Sequence, residues 1–512
     1  MFNRVSAETL EPRLDADFYK KEFIENHSKL KASGAVRLAS LINVKKSSYG
    51  ILPKSEEYVE SGLPLIRGGD LSFGQINPPE VHVPVHYAGV KGKAEEGDVL
   101  ILIKGACING PEGVARISEK ENGFLFNGSC YRLAFNKRDV NGYFFVAFSQ
   151  TRHFLMQKKR RVANTCISYN DEESILGYLF PSPSDDTKRY IGDKVRQAML
   201  LRALAKKQSD ELVLSINKIF AGNPKPERDH RCSVSMDEIS ENRLDAEYYA
   251  PEVLWAENEI KQSGFQYAPL GQLATRIKDG PGGWGVSIYD YKKKGIPIIR
   301  SVNINDGDCD LTDCVYISKE KNQELIAHEA KKGSVLLSVR GTVGRSAVFN
   351  DDYYQSANLN AAVVTIDCKP GLNPYYLAAF FNSKIGNIQL NRIANGAVQL
   401  NMNLKETASN LIVAPTPKIQ EEIANIYRAK VESKRYNRRL TLAAKLLVEA
   451  LIEGQIDENL LISAQVQLQA SDNSLDRSIM ARLKTDGLDG KGQPLFPDID
   501  QLYALLTQAA QA

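Results

Sequence analysis

The feature that most constrains the fold of this chain is an internal duplication. The heptapeptide Arg-Leu-Asp-Ala-Asp-Phe-Tyr at residues 13–19 returns as Arg-Leu-Asp-Ala-Glu-Tyr-Tyr at residues 243–249. Two further blocks recur in the same order, first at 62–67 and 97–105 and then at 295–300 and 333–341. Because the order is kept while the spacing drifts by only a few residues, the sequence predicts two homologous units that differ by loop insertions and deletions.

Short strands alternate with helices in each half. The apolar runs at 99–103 and 335–339 are rich in branched residues and adjoin glycines, as buried strands do. Residues 143–156 and 375–390 place apolar side chains three to four positions apart, which is typical of amphipathic helices packed on a sheet. The predicted fold class is therefore α+β: a tandem duplication of one mixed α/β domain, with each copy followed by a long helix.

Both long helices carry a heptad pattern, which predicts that they pair as an antiparallel coiled coil. The seam residues are Ile191, Ala198, Ala205, Leu212 and Ile219 in the first helix and Ile419, Ile426, Leu440 and Leu447 in the second. Each seam is polar near its middle, at Arg202 and at Asn437, and polar centres fix the alignment of such pairs. A helix of about 34 to 37 residues would span roughly 50–55 Å. The alternative is a pair of ordinary core helices.

The repeats and helices divide the chain into six predicted segments. They are a first repeat domain at 1–186, a first spacer helix at 187–220, a linker at 221–236, a second repeat domain at 237–416, a second spacer helix at 417–455 and a C-terminal extension at 456–512. The linker is recognised by its proline, glycine and charged residues. The extension holds a polar stretch and a short final helix, and the sequence predicts no role for it.

Composition places the chain among soluble globular proteins. Hydrophobic residues make up 43% and charged residues 25% of the 512, a length too great for one hydrophobic core. No apolar run approaches the roughly eighteen residues of a membrane helix and the first residues have no signal-peptide core, so we expect a cytoplasmic protein without membrane association. The seven cysteines are scattered and form no Cys-x-x-Cys pair, which argues against disulfides and structural zinc.

The sequence contains no complete catalytic motif. Asn-Pro-Pro-Glu at 77–80 has glutamate where an adenine methyltransferase has an aromatic residue that stacks on a flipped base. There is no Gly-x-x-x-x-Gly-Lys phosphate loop, and the Val-Pro-Val between His82 and His86 disfavours a helical metal site. We therefore predict no catalytic residue, no metal and no cofactor.

Local basic groups, rather than the net charge of +3, indicate a nucleic-acid partner. Isolated cations after apolar strands suit phosphate contacts, a four-residue basic run suits a DNA backbone, and amide side chains suit adenine. The candidate DNA contacts are Arg67, Lys104, Lys158, Lys159, Arg160, Arg161, Asn164, Arg300, Arg340, Thr342, Arg345, Asn395, Gln399 and Asn401. The alternative for each of them is a structural turn or a solvated charge.

Together these blocks resemble the specificity subunit of a type I restriction-modification system over residues 10–454. The resemblance rests on the opening heptapeptide, on residues 333–345, which resemble the family's Gly-Asp-Val-Leu-x-x-Arg-Gly-Thr-x-Gly, and on Asn-Gly-Ala-Val-Gln at 395–399. It implies two target-recognition domains separated by two antiparallel helices. Each domain would read one half of a split, asymmetric sequence in double-stranded DNA. Two adenine-methyltransferase subunits would dock on the helices, with a translocase/nuclease subunit as an optional further partner.

The first half departs from this family pattern. It has Lys-Gly-Ala-Cys at 104–107 where the second half has Arg-Gly-Thr-Val-Gly-Arg at 340–345. A second hypothesis is therefore a protein-interaction scaffold derived from such a subunit, whose DNA specificity has decayed. Only a DNA reader would discriminate between duplex sequences.

Overall fold

The computed structural model describes residues 10–11, 15–89, 92–105, 108–162, 168–226, 233–236, 239, 244–282, 285–393 and 401–512. Within them the chain has a mixed α+β fold, as predicted, and divides into two compact units. Unit 1 comprises Met1–Arg202 and Arg435–Ala512, and unit 2 comprises Ala203–Lys434. No helix of the described residues is long and apolar enough to cross a membrane. Of the predicted site residues, Asn164, Asn395 and Gln399 lie outside the described part of the chain.

The first half of the chain forms five helices and eleven strands in its described residues. The helices are α1 (Lys21–Ala32), α2 (Arg138–Ser149), α3 (Arg152–Arg161), α4 (Glu172–Leu176) and α5 (Asp185–Asn217). The strands are β1 (Val36–Arg37), β2 (Ser48–Tyr49), β3 (Leu63–Ile66), β4 (Leu71–Ser72), β5 (Gln75–Ile76), β6 (His82–Val83), β7 (Val99–Leu102), β8 (Val114–Arg116), β9 (Leu125–Phe126), β10 (Cys130–Leu133) and β11 (Leu179–Phe180).

The second half contains the corresponding series. Its helices are α6 (Pro251–Lys261), α7 (Leu270–Leu273), α8 (Lys319–Glu324), α9 (Pro374–Asn382), α10 (Lys384–Ile393), α11 (Leu404–Ser409) and α12 (Pro417–Ile452). Its strands are β12 (Gln266–Pro269), β13 (Ala274–Asp279), β14 (Ile296–Ile299), β15 (Ile304–Asn305), β16 (Asp308–Cys309), β17 (Val315–Ile317), β18 (Ala330–Lys331), β19 (Val335–Ser338), β20 (Ser346–Val348), β21 (Ser356–Leu359), β22 (Val363–Cys368) and β23 (Leu411–Ala414).

The main sheet of each unit has the same strand order. The order is β2-β10-β7-β8 in unit 1 and β13-β22-β19-β20 in unit 2, with all neighbours antiparallel. Strands β7 and β19 lie inside these sheets and are buried along their whole length, which explains why their sequences are apolar runs rather than alternating patterns. Each unit also has a second sheet, with the strand order β6-β3-β9 in unit 1 and β17-β14-β21-β18 in unit 2. Each of these sheets contains one pair of parallel strands.

The two amphipathic stretches predicted as single helices are each divided into two. The stretch at 143–156 contains the end of α2 and the start of α3, because Thr151 leaves the helical conformation and its hydroxyl accepts a hydrogen bond from the Phe154 amide at 3.3 Å. The stretch at 375–390 is divided at Ser383 in the same way, between α9 and α10. Local caps therefore override the continuous apolar periodicity.

A two-residue hairpin loop lies against a long helix in each unit. Residues 73–74 connect β4 to β5 with φ values of 45° and 93°, as a type I′ loop requires. Arg202 of α5 donates a hydrogen bond to the carbonyl oxygen of Ser72 at 3.0 Å. In unit 2 the hydroxyl of Tyr427 on α12 donates to the carbonyl oxygen of Gly307 at 2.5 Å. These contacts attach each set of strands to a long helix.

The predicted seam residues of the long helices are mostly buried within the units. Ile191, Ala198, Ala205, Leu212, Ile219, Leu440 and Leu447 are buried, and Ile419 and Ile426 are partly buried. In unit 1 the Asn437 amide donates to the carbonyl oxygen of Ala198 at 2.5 Å, and in unit 2 Leu212 and Ile423 belong to one apolar cluster. The buried members of this set pack inside the units, so a partner protein that docks on the helices would contact mainly their outward faces.

The C-terminal extension folds as part of unit 1. It comprises α13 (Glu458–Gln469), α14 (Ser474–Arg482), β24 (Leu483–Lys484), β25 (Gly487–Leu488) and α15 (Ile499–Gln511). The buried carboxylate of Asp476 accepts hydrogen bonds from the Tyr190 hydroxyl and the Lys194 ammonium of α5, each at 2.7 Å, and from the Tyr503 hydroxyl at 2.5 Å. This cluster attaches the extension to the first long helix.

Candidate nucleic-acid interface

The turn between β19 and β20 presents three predicted contact residues to solvent. Gly341 and Gly344 have φ values of 76° and 94°, in the left-handed region that favours glycine, and a Cβ on Gly344 would also lie 2.7 Å from the side-chain amide nitrogen of Asn387. The Val343 side chain between them is buried and fixes the turn on the domain. The flanking side chains of Arg340, Thr342 and Arg345 are exposed.

The structure brings Arg340 next to Asn401, another predicted contact. The two residues form an isolated antiparallel bridge, and the Arg340 Nε donates to the Asn401 Oδ1 at 3.1 Å. The bridge continues at Met402, whose amide donates to the carbonyl oxygen of Val339 at 3.0 Å. Both Nη groups of Arg340 are without a hydrogen-bond partner in the described residues. An exposed guanidinium oriented by an amide can contact a phosphate or a guanine edge.

Unit 1 has different residues at the matching positions. Exposed Lys104 bridges to Tyr169, and the Asn170 amide donates to the carbonyl oxygen of Ile103 at 2.9 Å, as Met402 does to Val339. A lysine and a tyrosine therefore replace the arginine and the asparagine of unit 2. The backbone geometry is shared while the chemistry differs.

The prediction that residues 158–161 follow a DNA backbone is wrong for most of the run. Lys158 is 1% exposed and Arg160 is also buried, while Arg161 forms an ion pair with Glu11 at 3.2 Å. Only Lys159 has an exposed side chain. These residues are the last turns of α3, so successive side chains point to different sides and most of them turn inward.

Arg160 has a structural role that recurs in unit 2. Its Nε donates to the carbonyl oxygen of Phe18 at 3.1 Å, and its guanidinium lies 3.9 Å from the centre of the Phe18 ring. Arg392 of α10 makes the same two contacts with Tyr248, at 3.1 and 3.9 Å. Each opening heptapeptide is therefore held by a stacked arginine. Sequence reasoning missed this role, although the arginines are 232 positions apart and their aromatic partners 230.

Arg67 and Arg300 lie at matching strand ends, where they begin a helical turn. The Arg67 amide donates to Asp70 Oδ2 at 2.7 Å, and the Arg300 amide donates to Asn303 Oδ1 at 3.0 Å. The Arg300 guanidinium also donates to the carbonyl oxygen of Asp313 at 2.6 Å. These bonds support the structural alternative that the sequence left open for the two arginines.

Lys158 is a buried charge that forms no ion pair with any of the described residues. Its ammonium has no hydrogen-bond partner in the described residues, and the matching position of α10 is Leu390. Burial lowers the pKa of Lys158 from its ordinary value of 10.5 to about 8, against a smaller opposing effect of Glu112. The native state consequently binds fewer protons than the unfolded state between pH 8 and 10.5, so stability should rise with pH in that window.

We expect Lys158→Leu to raise the free energy of unfolding at pH 7 by about 1–3 kcal/mol, because it removes the cost of burying the charge. Urea unfolding at pH 7 and again near pH 10 measures this gain, which should shrink at the higher pH. Lys159→Leu, at the exposed neighbouring position, should change little. A destabilised Lys158→Leu protein would show that the ammonium has a favourable partner.

Comparison with known proteins identifies a family domain that contains the turn between β19 and β20. Residues 286–431, which include the 340–345 turn and Asn401, match the family model described as the type I restriction modification DNA specificity domain. The type I restriction enzyme EcoBI specificity subunit of Escherichia coli is 27% identical over 135 residues, which are 26% of this chain and 28% of that relative. The match therefore spans less than a third of the relative's length.

Two solved structures cover most of this chain. The S subunit of a type I restriction-modification system from M. genitalium covers 83% of this chain and 96% of its own, with 12% identity and a TM-score of 0.44. The HsdS subunit from Thermoanaerobacter tengcongensis covers 82% and 97%, with 14% identity and a TM-score of 0.27. On the sequence matches, the resemblance first inferred from the motifs is confirmed: residues 286–431 match the DNA specificity domain of type I restriction-modification systems, and the chain is similar to a specificity subunit of such a system.

Proposed function

We propose that this chain is the DNA-recognition subunit of a type I restriction-modification complex or of a related methylation-linked phage-defence complex. The observation that carries the proposal is the exposed turn at 340–345, where the guanidinium of Arg340 is oriented by Asn401. Arginine and asparagine are the side chains best suited to the edges of guanine and adenine, and arginine also grips phosphate. The turn lies inside the matched specificity domain.

The target is a bipartite sequence in double-stranded DNA, with one half read by each repeat domain. The shared strand order and the two stacked arginines favour a tandem duplication of one target-recognition domain, at 1–186 and 237–416. The loops of the two copies differ, for example at 45–58 and 278–293, so the half-sites should differ in sequence. The remaining exposed candidates, Lys104, Lys159, Thr342 and Arg345, would contact phosphates or bases.

The long helices would pair antiparallel as the spacer between the half-sites. With 33 and 36 residues they are each about 50–54 Å long. A spacer of that length suits half-sites separated by about one helical turn of DNA or slightly more. Two adenine-methyltransferase subunits would dock on the outward helix faces and supply the chemistry, with a translocase/nuclease subunit as an optional third partner.

A protein-interaction scaffold with decayed DNA specificity is the second candidate. It is favoured by one observation, the replacement of the Arg340 and Asn401 pair by Lys104 and Tyr169 in unit 1. If the chain is a scaffold, its function would need the 340–345 turn of unit 2 no more than it needs the matching residues of unit 1. Selection from a random DNA library therefore separates the two candidates.

Library selection by the chain bound to its methyltransferase subunits is expected to return one split sequence. Combining Arg340→Ala with Arg345→Ala should erase the preference at one half-site only and weaken binding at least about tenfold, because two guanidinium contacts are lost. The slope of the logarithm of the binding constant against the logarithm of the salt concentration should become less steep by about 2. Lys332→Ala, an exposed lysine outside the turn, is the control and should keep both half-sites. Enrichment of no sequence would favour the scaffold, and two intact half-sites in the double variant would refute the assignment of the turn.

A further inference from the structure

Unit 1 contains a cleft beside Lys104, which is the one residue of its lining that the DNA-reading proposal uses. Its volume is about 270 Å³, and its lining includes Tyr49, Lys104, Tyr169 and Asn170. Both tyrosines and the lysine are exposed, so the cleft opens to solvent. Sites for drug-sized ligands usually measure 300–1,000 Å³, so this cleft suits a single small ring system.

The floor of the cleft carries a buried amide with unused hydrogen-bonding capacity. Asn170 is 2% exposed, and neither its Oδ1 nor its Nδ2 has a hydrogen-bond partner in the described residues. Buried amides are nearly always paired, because leaving one unpaired costs its desolvation free energy. A side-chain amide offers one acceptor next to one donor, which is the pattern that complements the edge of a nucleobase such as adenine.

The tyrosines and the lysine supply the other elements of nucleotide recognition. Tyr49 is positioned by Tyr131, whose ring centre lies 5.0 Å away and whose hydroxyl donates to Glu172 at 2.7 Å. Aromatic side chains bind nucleobases by stacking, and a lysine ammonium binds phosphate. Lys104 is the one cation, and Asp171 the one anion, among the described residues that line the cleft.

The matching region of unit 2 lacks all of these groups except the cation. Tyr49 and Asp279 occupy matching positions in the two main sheets. Each of them pairs with a residue of the neighbouring strand, β10 or β22, and that residue pairs on its other side with a matching position of β7 or β19. The bridge and hydrogen-bond pattern places Asn401 where unit 1 has Tyr169, and Met402 where it has Asn170. Two tyrosines and a buried amide are therefore present in unit 1 and replaced by other residues at the matching positions of unit 2.

We propose that this cleft of unit 1 binds one nucleobase, with the ring against Tyr49 and Tyr169, the base edge on Asn170 and the phosphate on Lys104. Stacking on the tyrosine rings distinguishes this cleft from a groove reader, because a paired base inside a duplex presents an edge while its faces are covered by its neighbours. The occupant is either a free nucleotide or a nucleotide extruded from DNA. The proposal does not depend on sequence-specific recognition of duplexes.

Titration of the full chain with dAMP by calorimetry tests the cleft. We expect binding with a dissociation constant on the order of 1 mM or tighter, and none with 2-deoxyribose 5-phosphate, which has no base. Tyr169→Ala should weaken dAMP binding at least about tenfold, and Tyr169→Phe should restore most of it. Asn170→Met, which copies unit 2 and removes an unpaired buried amide, should fold normally and also weaken binding about tenfold. Tyr289→Ala removes a tyrosine that is 87% exposed elsewhere and is the control for the aromatic change.

Competition identifies the source of the base. A short duplex with one unpaired adenine that displaces dAMP, while the fully paired duplex does not, would assign the cleft to an extruded base. Displacement by neither duplex would assign it to a free nucleotide. Absence of dAMP binding, or equal binding of dAMP and 2-deoxyribose 5-phosphate, would overturn the proposal and leave the DNA-reading function untouched.

Discussion

Asp476→Ala is expected to lower the free energy of unfolding of unit 1 by about 3–5 kcal/mol. The Asp476 and Lys194 side chains are each 1% exposed and form an ion pair at 2.7 Å. Without the carboxylate, the Lys194 ammonium would remain buried without a counter-ion, and the hydroxyls of Tyr190 and Tyr503 would lose their acceptor. Urea unfolding followed by circular dichroism measures the loss as a lower midpoint of the transition of unit 1.

The same carboxylate should make the loss depend on pH. Burial alone would raise the pKa of Asp476. The charge of Lys194 and the hydrogen bonds that the Asp476 carboxylate accepts outweigh burial, and they hold that pKa below its ordinary value of 3.8. Its contribution is therefore complete above about pH 4 and is lost as the pH falls further. The difference between wild type and Asp476→Ala should shrink in acid.

A matched aspartate provides the control. Asp500 pairs with Arg477 at 2.6 Å, but its side chain is 86% exposed, so solvent screens the pair. Asp500→Ala should leave the midpoint nearly unchanged. Equal effects of the two substitutions would mean that the Asp476 cluster does not attach the C-terminal extension to α5.

The main sheets could be predicted from sequence because their signals are local. The apolar runs at 99–103 and 335–339 correspond to β7 and β19, since strands buried on both faces are apolar at nearly every position, and Ser338 is the one polar residue in the two runs. The turn at 340–345 was likewise identified from its glycines and arginines, which lie within six residues. Its pairing with Asn401, 61 residues later, depends on the fold.

Most errors and omissions at the candidate sites depend on residues that are distant in sequence. The prediction that Lys158 and Arg160 follow a DNA backbone fails because a basic run does not reveal which side of a helix is buried. The partner of Arg160 is Phe18, 142 residues earlier. The role of Asp476 was not found because its partner Lys194 is 282 residues away. Asn170 carries no sequence motif, and only alignment with Met402 in the other copy marks it as unusual.

Removal of the chain is expected to have the second large effect, because in the proposed function this chain selects the DNA sites on which its partners act. If two different domains read two half-sites, removing the chain should abolish adenine methylation at the split target altogether. A methyltransferase that lacks its specificity subunit would have no means of choosing sites. No partial effect is expected, because no other part of the proposed complex reads the target sequence.

A genome-wide map of N6-methyladenine, made in cells that produce the methyltransferase partner with and without this chain, tests whether the chain selects the sites. We expect one motif of two unlike half-sites separated by a fixed gap, fully methylated with the chain, unmethylated without it and restored when the chain is supplied again. Methylation that is unchanged in the absence of the chain would contradict the account and favour the scaffold.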